Sequence, residues 1–194
     1  NAWYWLDAID GGKMAVNKDV YQESDGGKWV RYDANGHMVK GENCKDNAWY
    51  RFDEVTGAMV KGWYTTNDRN GKQIYYYYNE NNGKMVKGEA TIGGKACMFD
   101  VSTGVAYDCA WYTKNGGKYW YEKGVRQGTE GRGKEIFDSA SNAWYWLDAV
   151  DAGKMAVNKD VYQESSGGKW VRYDANGRMV KGWNTKDGKR YYFD

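Results

Sequence analysis

Proline is absent from the 194 residues, and histidine occurs once, as His37. Without proline the chain has no polyproline stalk and no Pro-rich linker. With a single histidine, any His-based catalytic triad must use His37. An internal copy of the same segment carries Arg178 at that place, so His37 reads as a turn residue. No pair of carboxylates stands out for glycosidase chemistry, because the recurring Asp residues fall in turns. Catalysis by this segment is not expected. Leu, Ile and Val are sparse and mean hydropathy is −0.92, a value typical of disordered chains. No apolar run approaches the roughly 18–20 residues of a membrane span. There is no signal-peptide pattern. There is also no basic run: 28 Lys and Arg stand against 26 Asp and Glu, net +2, which argues against nucleic-acid binding. The three cysteines, Cys44, Cys97 and Cys109, lack metal-site spacing, and neither a metal nor a cofactor is expected. Cys97 and Cys109 stand close enough for a hairpin loop to be closed by a disulfide. Cys44 is Thr185 in the internal copy and reads as dispensable.

Aromatic rings reverse what hydropathy alone suggests. The chain holds 11 Trp, 18 Tyr and 4 Phe, and each ring can bury about 150–250 Å². The apolar surface needed for folding is present, carried by rings instead of aliphatics. The 26 Gly fit many tight turns, since Gly accepts positive φ without steric cost.

The chain is repetitive at two scales. Residues 1–46 recur as 142–187 with 40 of 46 positions identical; the differences are Ile9/Val150, Gly11/Ala152, Asp25/Ser166, His37/Arg178, Glu42/Trp183 and Cys44/Thr185. Within that block lies a shorter unit: a four-residue aromatic strand closing on an acid or Asn, a turn, then Gly-x-Met. It reads Trp3–Asp7, Trp29–Asp33, Trp49–Asp53, Tyr75–Asn79, Ala96–Asp100, Lys118–Glu122, Trp144–Asp148, Trp170–Asp174 and Arg190–Asp194. Second strands centre on Met14, Met38, Met59, Met85, Ala106, Arg126, Met155 and Met179, spaced 20 to 29 residues apart. An irregular insert lies near 124–141, where Lys134–Asp138 looks like a degenerate extra strand. Period-two apolar patterning bounded by Gly, Asn and Asp predicts β-hairpins. A unit this short cannot bury its own apolar face, whereas stacked neighbours can. The expected fold is therefore all-β: a single β-hairpin solenoid of about eight stacked repeats over 1–194. A propeller blade needs a longer unit. Both ends fall in mid-pattern, which suggests a fragment of a longer protein.

Alternation sorts each strand into faces. The second and fourth positions before the closing residue are almost uniformly apolar and predict the core. The third position mixes rings with arginine (Trp5, Arg31, Arg51, Tyr77, Met98, Trp120, Trp146, Arg172 and Tyr192) and predicts an outer column. There, Arg31 beside Trp5 and Arg172 beside Trp146 suggest cation–π pairs; the alternative use of the column is a sugar-stacking strip.

Gly182-Trp183 followed by Gly188-Lys189-Arg190-Tyr191-Tyr192-Phe193 resembles the Gly-Trp…Gly-Lys-x-Tyr-Tyr-Phe unit. That unit is shared by choline-binding repeats, the glucan-binding repeats of streptococcal glucosyltransferases and the repetitive domains of clostridial toxins. Gly62-Trp63 with Gly71-Lys72 and Tyr75–Tyr78 is similar, as is Trp111 with Gly117-Lys118-Tyr119-Trp120. The Gly-x-Met-x-x-Gly segments Gly57–Gly62 and Gly177–Gly182 match the second strand. The resemblance spans nearly the whole chain, most loosely at 124–141. It implies a secreted bacterial surface protein whose repeats bind cell-wall polysaccharide or another glycan without catalysis, joined to a separate domain. It also implies choline as a lesser alternative, through a cage built from the Gly-Trp tryptophan and the first ring of the next strand. Only Trp63 with Tyr75 keeps both rings; Trp111 meets Lys118 and Trp183 meets Arg190, and cations repel a quaternary ammonium. A sugar platform suits these positions better. The ligand-binding candidates are Trp63, Tyr75, Trp111, Lys118, Trp120, Trp183, Arg190 and Tyr192, with Trp5 and Trp146 behind them. A structural stalk or protein-binding spacer is the competing reading.

Overall fold

Most of the aromatic strands end where an Asp or Asn side chain turns the chain. Asp33 Oδ1 accepts from the amides of Asn35 and His37, both at 2.8 Å. Asp53, Asn79, Asp100 and Asp174 repeat the arrangement with their own following residues. These Asx-turns release the chain into the Gly-x-Met segment. The computed structural model describes residues 2–164 and 167–194, without the Asp25 side chain; Asn1, Ser165 and Ser166, all within or beside the duplicated blocks, lie outside the described residues.

The described chain is nearly all-β, with its strands arranged as hairpins and almost no helix. Lys18–Gln22 pairs Lys28–Tyr32, Gly41–Lys45 pairs Ala48–Phe52, and Gly62–Asn67 pairs Gln73–Tyr78, each antiparallel. Further along, Ala110–Lys114 pairs Gly117–Glu122, Lys159–Gln163 pairs Lys169–Tyr173, and Gly182–Lys186 pairs Lys189–Phe193. The degenerate segment does form a strand: Gly133–Asp138 pairs the whole of Ala143–Asp148. The chain divides into two compact units. The first is Asn1–Gly88 with Phe99–Ala106, and the second is Glu89–Met98 with Tyr107–Asp194.

Within each unit one hairpin is tied to the next by its methionine. The amide of Met38 donates to Trp3 O at 3.0 Å, Met59 to Trp29 O at 2.7 Å, and Met179 to Trp144 O at 2.9 Å. The side chain makes the second tie. A Cβ on Gly36, Gly57, Gly83, Gly104 or Gly177 would come under 3.0 Å of the sulfur of Met14, Met38, Met59, Met85 or Met155 respectively. Each of these Gly residues also has positive φ. The Gly-x-Met motif is thereby explained: the glycine leaves a seat for the methionine of the preceding hairpin, and its own methionine fills the next seat.

The fourth strand position is core, as expected: Tyr32, Phe52, Tyr78, Phe99, Tyr121, Leu147 and Tyr173 are all buried, while Leu6 is exposed and Phe193 half-buried. The third position is not an outer column. Arg31, Tyr77, Met98, Trp120 and Trp146 are buried too. Trp120 packs with Ile136, Leu147 and Met155, and Trp146 with Val161, Val171 and Tyr173. A hairpin covered by neighbours on both faces has no wet face for alternation to report. The arginine pairings also differ from expectation. Asp19 clamps Arg31 with two hydrogen bonds of 2.6 and 3.0 Å. The guanidinium then lies 4.1 Å from the Tyr50 ring and 5.1 Å from Phe52, on the following hairpin. Arg172, clamped by Asp160, lies 5.4 Å from Tyr191 and Phe193. Trp5 and Trp146 are not their ring partners.

Cys97 and Cys109, which could have closed a hairpin loop, are not joined by a disulfide in this structure. Cys97 is a buried free thiol, 3.5 Å from Lys95 O, and Cys109 sits on the surface at φ 47°. Burial pushes the Cys97 thiol above its ordinary pKa.

Candidate functional site

Lys114-Asn115-Gly116-Gly117 makes the tight turn of its hairpin, with positive φ at Asn115 and Gly116. That turn sets Trp111 directly opposite Trp120 and Thr113 opposite Lys118. Trp120 faces inward, its Nε1 donating to Glu122 Oε1 at 3.2 Å, and cannot serve as an exposed platform. Trp111 is half-buried. Its ring lies edge-on to Trp120 at 5.0 Å and to Tyr145 at 5.1 Å.

Trp111 forms one wall of a cavity of about 440 Å³, lined also by Lys118, Asp138, Ser141, Tyr145, Asn176 and Arg178. Trp111 Nε1 donates to Asp138 Oδ2 at 3.2 Å, and the Ser141 hydroxyl donates to the same oxygen at 2.8 Å. Tyr145 OH donates to Ser141 Oγ at 2.9 Å. Burial pushes the Asp138 carboxyl up, but the bonds from Ser141, Trp111 and the following amides outweigh it and hold the group below its ordinary value. The cleft thus presents two rings, a fixed carboxylate, a hydroxyl, an amide and two cations. Lys118 Nζ lies 5.9 Å from the Trp111 ring centroid.

Trp183, Arg190 and Tyr192 come together as a second surface. Trp183 stands opposite Tyr192, with ring centroids 5.3 Å apart, and Arg190 lies 4.7 Å over the indole. Both rings are exposed. Trp63 forms a third. It stands opposite Tyr77, not Tyr75, and meets Tyr77 at 5.2 Å and Phe99 at 5.7 Å. Tyr75 stands opposite Thr65, its hydroxyl on Gln73 Oε1 at 2.6 Å. Trp5 is half-buried against Val20, Val30 and Tyr32, and Trp146 is core.

Sequence patterning missed other exposed rings. Trp29 pairs with Tyr21 and Trp170 with Tyr162, centroids 5.4 Å apart in both cases. The signal was available: Tyr21 and Tyr162 stand opposite those tryptophans in a one-turn hairpin register.

Residues 22–64 and 163–194 match the choline-binding repeat model. Those two segments are similar to choline-binding repeats. The first matched segment ends just past Trp63 and the second holds Trp183 and Tyr192, whereas Trp111, Asp138 and Tyr145 lie between the two. Among curated proteins, the chain is 31% identical over 158 residues to glucosyltransferase-S of Streptococcus downei, covering 80% of this chain and 9% of that protein. It is 26% identical over 197 residues to glucosyltransferase-S of Streptococcus mutans, covering 91% of this chain and 11% of that one. The chain therefore spans about a tenth of the length of these relatives. Its fold is similar to that of choline binding protein F from Streptococcus pneumoniae, with TM-score 0.66 at 22% identity over 93% of this chain and 55% of that one.

Proposed function

We propose that this chain is a non-catalytic module of a bacterial surface protein that binds cell-wall or other glycan polymers, with the Trp111 cleft as its best-formed site. The observation that carries this reading is the juxtaposition of an indole with a fixed carboxylate, a hydroxyl and two cations around one cavity. A sugar ring offers apolar C–H faces to an aromatic ring and hydroxyls to polar groups at its edge; this cavity supplies both kinds of partner. Similarity to two glucosyltransferases, proteins named for work on glucosyl units, supports a glucose polymer. Within each unit the hairpins stack as solenoid repeats, a reading supported by the repeated methionine ties, and the ligand sites recur along them. Secretion, surface display and an attached domain are part of this reading, supported by the similarity to choline-binding repeats. No helix among the described residues is long and apolar enough to cross a membrane.

Pull-down on cell walls and titration with glucan oligosaccharides test the proposal. Binding that is lost in Trp111→Ala and Trp183→Ala while both variants remain folded supports it. A folded chain that ignores wall, glucan and choline leaves only the structural spacer.

Choline is a second reading, favoured at one place. Trp63 is exposed beside Tyr77 and Phe99 at the end of a matched segment, and the cations Lys118 and Arg190 belong to the other two platforms. Choline that quenches tryptophan fluorescence in the parent and not in Trp63→Ala supports that assignment.

A further inference from the structure

Three charged side chains line the Trp111 cavity: Lys118, Asp138 and Arg178. Lys118 stands on the return strand of its hairpin, opposite Thr113. Asp138 closes the strand of the irregular insert. Arg178 follows the turn that Asp174 builds, its own amide donating to Asp174 Oδ1 at 2.9 Å. Three separate stretches of sequence therefore bring charge to one place.

The carboxylate does not balance the cations. Asp138 is 8% exposed, and its oxygens are already taken. Oδ2 accepts from Trp111 Nε1 and from the Ser141 hydroxyl, and Oδ1 accepts from the Ala140 amide at 3.0 Å. Three of the roughly four acceptor positions of a carboxylate are thus filled. Among the described residues, neither Lys118 nor Arg178 has a carboxylate partner. Both are exposed, and Lys118 faces the indole instead. By contrast, Lys134, Lys159 and Arg172 in the same unit each bond an acid. Arg178 stands where the first copy holds His37, and a guanidinium stays charged at any physiological pH.

We infer that the Trp111 cleft selects anionic glycans: sugars that offer a carboxylate or a phosphodiester to Lys118 and Arg178 while a sugar ring packs on Trp111. The inference rests on that cleft being a glycan site and names the class of polymer. An uncharged glucose polymer finds the indole and the Ser141 hydroxyl but leaves both cations to water. An anionic one adds charge-assisted hydrogen bonds in a cavity whose one lining acid is already satisfied. The two cations that turn away a quaternary ammonium draw in an acid.

The test titrates the full chain with three probes of similar length: a glucuronate oligosaccharide, the neutral glucose oligosaccharide of the same linkage, and a phosphodiester-linked glucose oligomer. At low salt the glucuronate should bind roughly tenfold tighter than its neutral counterpart, as one or two charge-assisted contacts at an exposed site allow. That advantage should shrink to about threefold or less near 0.5 M salt, because exposed charges are screened. Trp111→Ala should weaken all three. Lys118→Gln with Arg178→Gln should bring the charged and neutral sugars within about twofold of each other. Lys40→Gln with Lys61→Gln removes the same charge from the other unit and should leave the preference intact. Whether the glucuronate or the phosphodiester binds more tightly assigns the anion to one source or the other. Equal affinity for charged and neutral sugars overturns the inference and leaves the glycan reading of the cleft standing. Absence of binding to all three overturns the inference together with the glucose-polymer reading beneath it. A preference that survives in the Lys118 and Arg178 variant, or vanishes in the Lys40 and Lys61 variant, belongs to net charge and also overturns it.

Discussion

Trp111 and Asp138, 27 residues apart in sequence, meet through an indole-to-carboxylate hydrogen bond of 3.2 Å. The bond fixes the ring that the glycan proposal depends on. Trp111→Ala should weaken glycan binding by about 2 kcal/mol, roughly thirtyfold, as expected for a central aromatic anchor. Asp138→Ala removes the acceptor shared by Trp111 and Ser141. It should cost about 1.5–3 kcal/mol of stability, the usual worth of hydrogen bonds to a charged group. Oligosaccharide titration and urea denaturation of the two variants separate the effects.

Acid should act through the arginine clamps. Asp160 is held down to about 2 from an ordinary 3.8, first by its hydrogen bond to Arg172, with Lys186 adding to it. A depressed carboxyl stabilises the fold fully above its unfolded value, and that contribution is lost as pH falls from about 4 to about 2. Melting temperature should therefore drop through that window. In Asp160→Asn the drop should be shallower from a lower plateau. Thermal melts from pH 6 to pH 2 check the slope.

Two glycines separate backbone strain from packing. Gly57 and Gly62 have φ of 67° and 76°, but a Cβ on Gly57 strikes Met38 while one on Gly62 meets nothing within 4 Å. Gly62→Ala should cost about 1–2 kcal/mol for its left-handed backbone alone. Gly57→Ala should cost a further 1–3 kcal/mol, roughly the range for overpacking. Gly57→Ala with Met38→Ala should recover part of that excess, measured as midpoint shifts in urea.

Buried tyrosines should respond unequally to loss of the hydroxyl. Tyr78 OH is buried without a hydrogen-bond partner among the described residues, and burial raises its pKa strongly. Tyr173 OH is tied to Gln163 and Glu135. Tyr78→Phe should be neutral or stabilising by about 1 kcal/mol, and Tyr173→Phe should destabilise by about 1–3 kcal/mol because Glu135 and Gln163 lose their shared partner. Chemical denaturation of both variants measures the difference.

Hairpins, turns and the fourth-position core column were legible from sequence, because ring spacing and Asx-turn residues are local signals. The third column was not. Whether Trp120 and Trp146 face water depends on which hairpin covers them, and alternation within one strand carries no word of that. The arginine contacts were misplaced for a related reason: Asp19 and Asp160 fix the direction of the guanidinium, and they lie on the partner strand of the hairpin. Of the binding candidates, Trp183, Arg190 and Tyr192 converge, as the Gly-Trp unit suggested. Trp111 acquires partners that no repeat pattern named, Asp138 and Ser141 from the irregular insert and Arg178 from the duplicated block. Trp63 pairs with Tyr77 because antiparallel register sets the second residue of one strand against the third ring of the next.

The methionine seats also bear on how such a chain can change over time. A hairpin needs only a glycine to receive its predecessor and a methionine to offer its successor. Exposed strand positions between those two points can vary, as the rings and cations of the three platforms show. Blocks can then be copied, inserted or lost without redesigning a shared core, and the 46-residue duplication is one such event preserved with six changes. One of those changes sets Trp183 where the first copy holds Glu42, and just past the block Arg190 and Tyr192 stand where Trp49 and Arg51 stand in the first, so an aromatic platform differs from its counterpart at three positions on an unchanged joint.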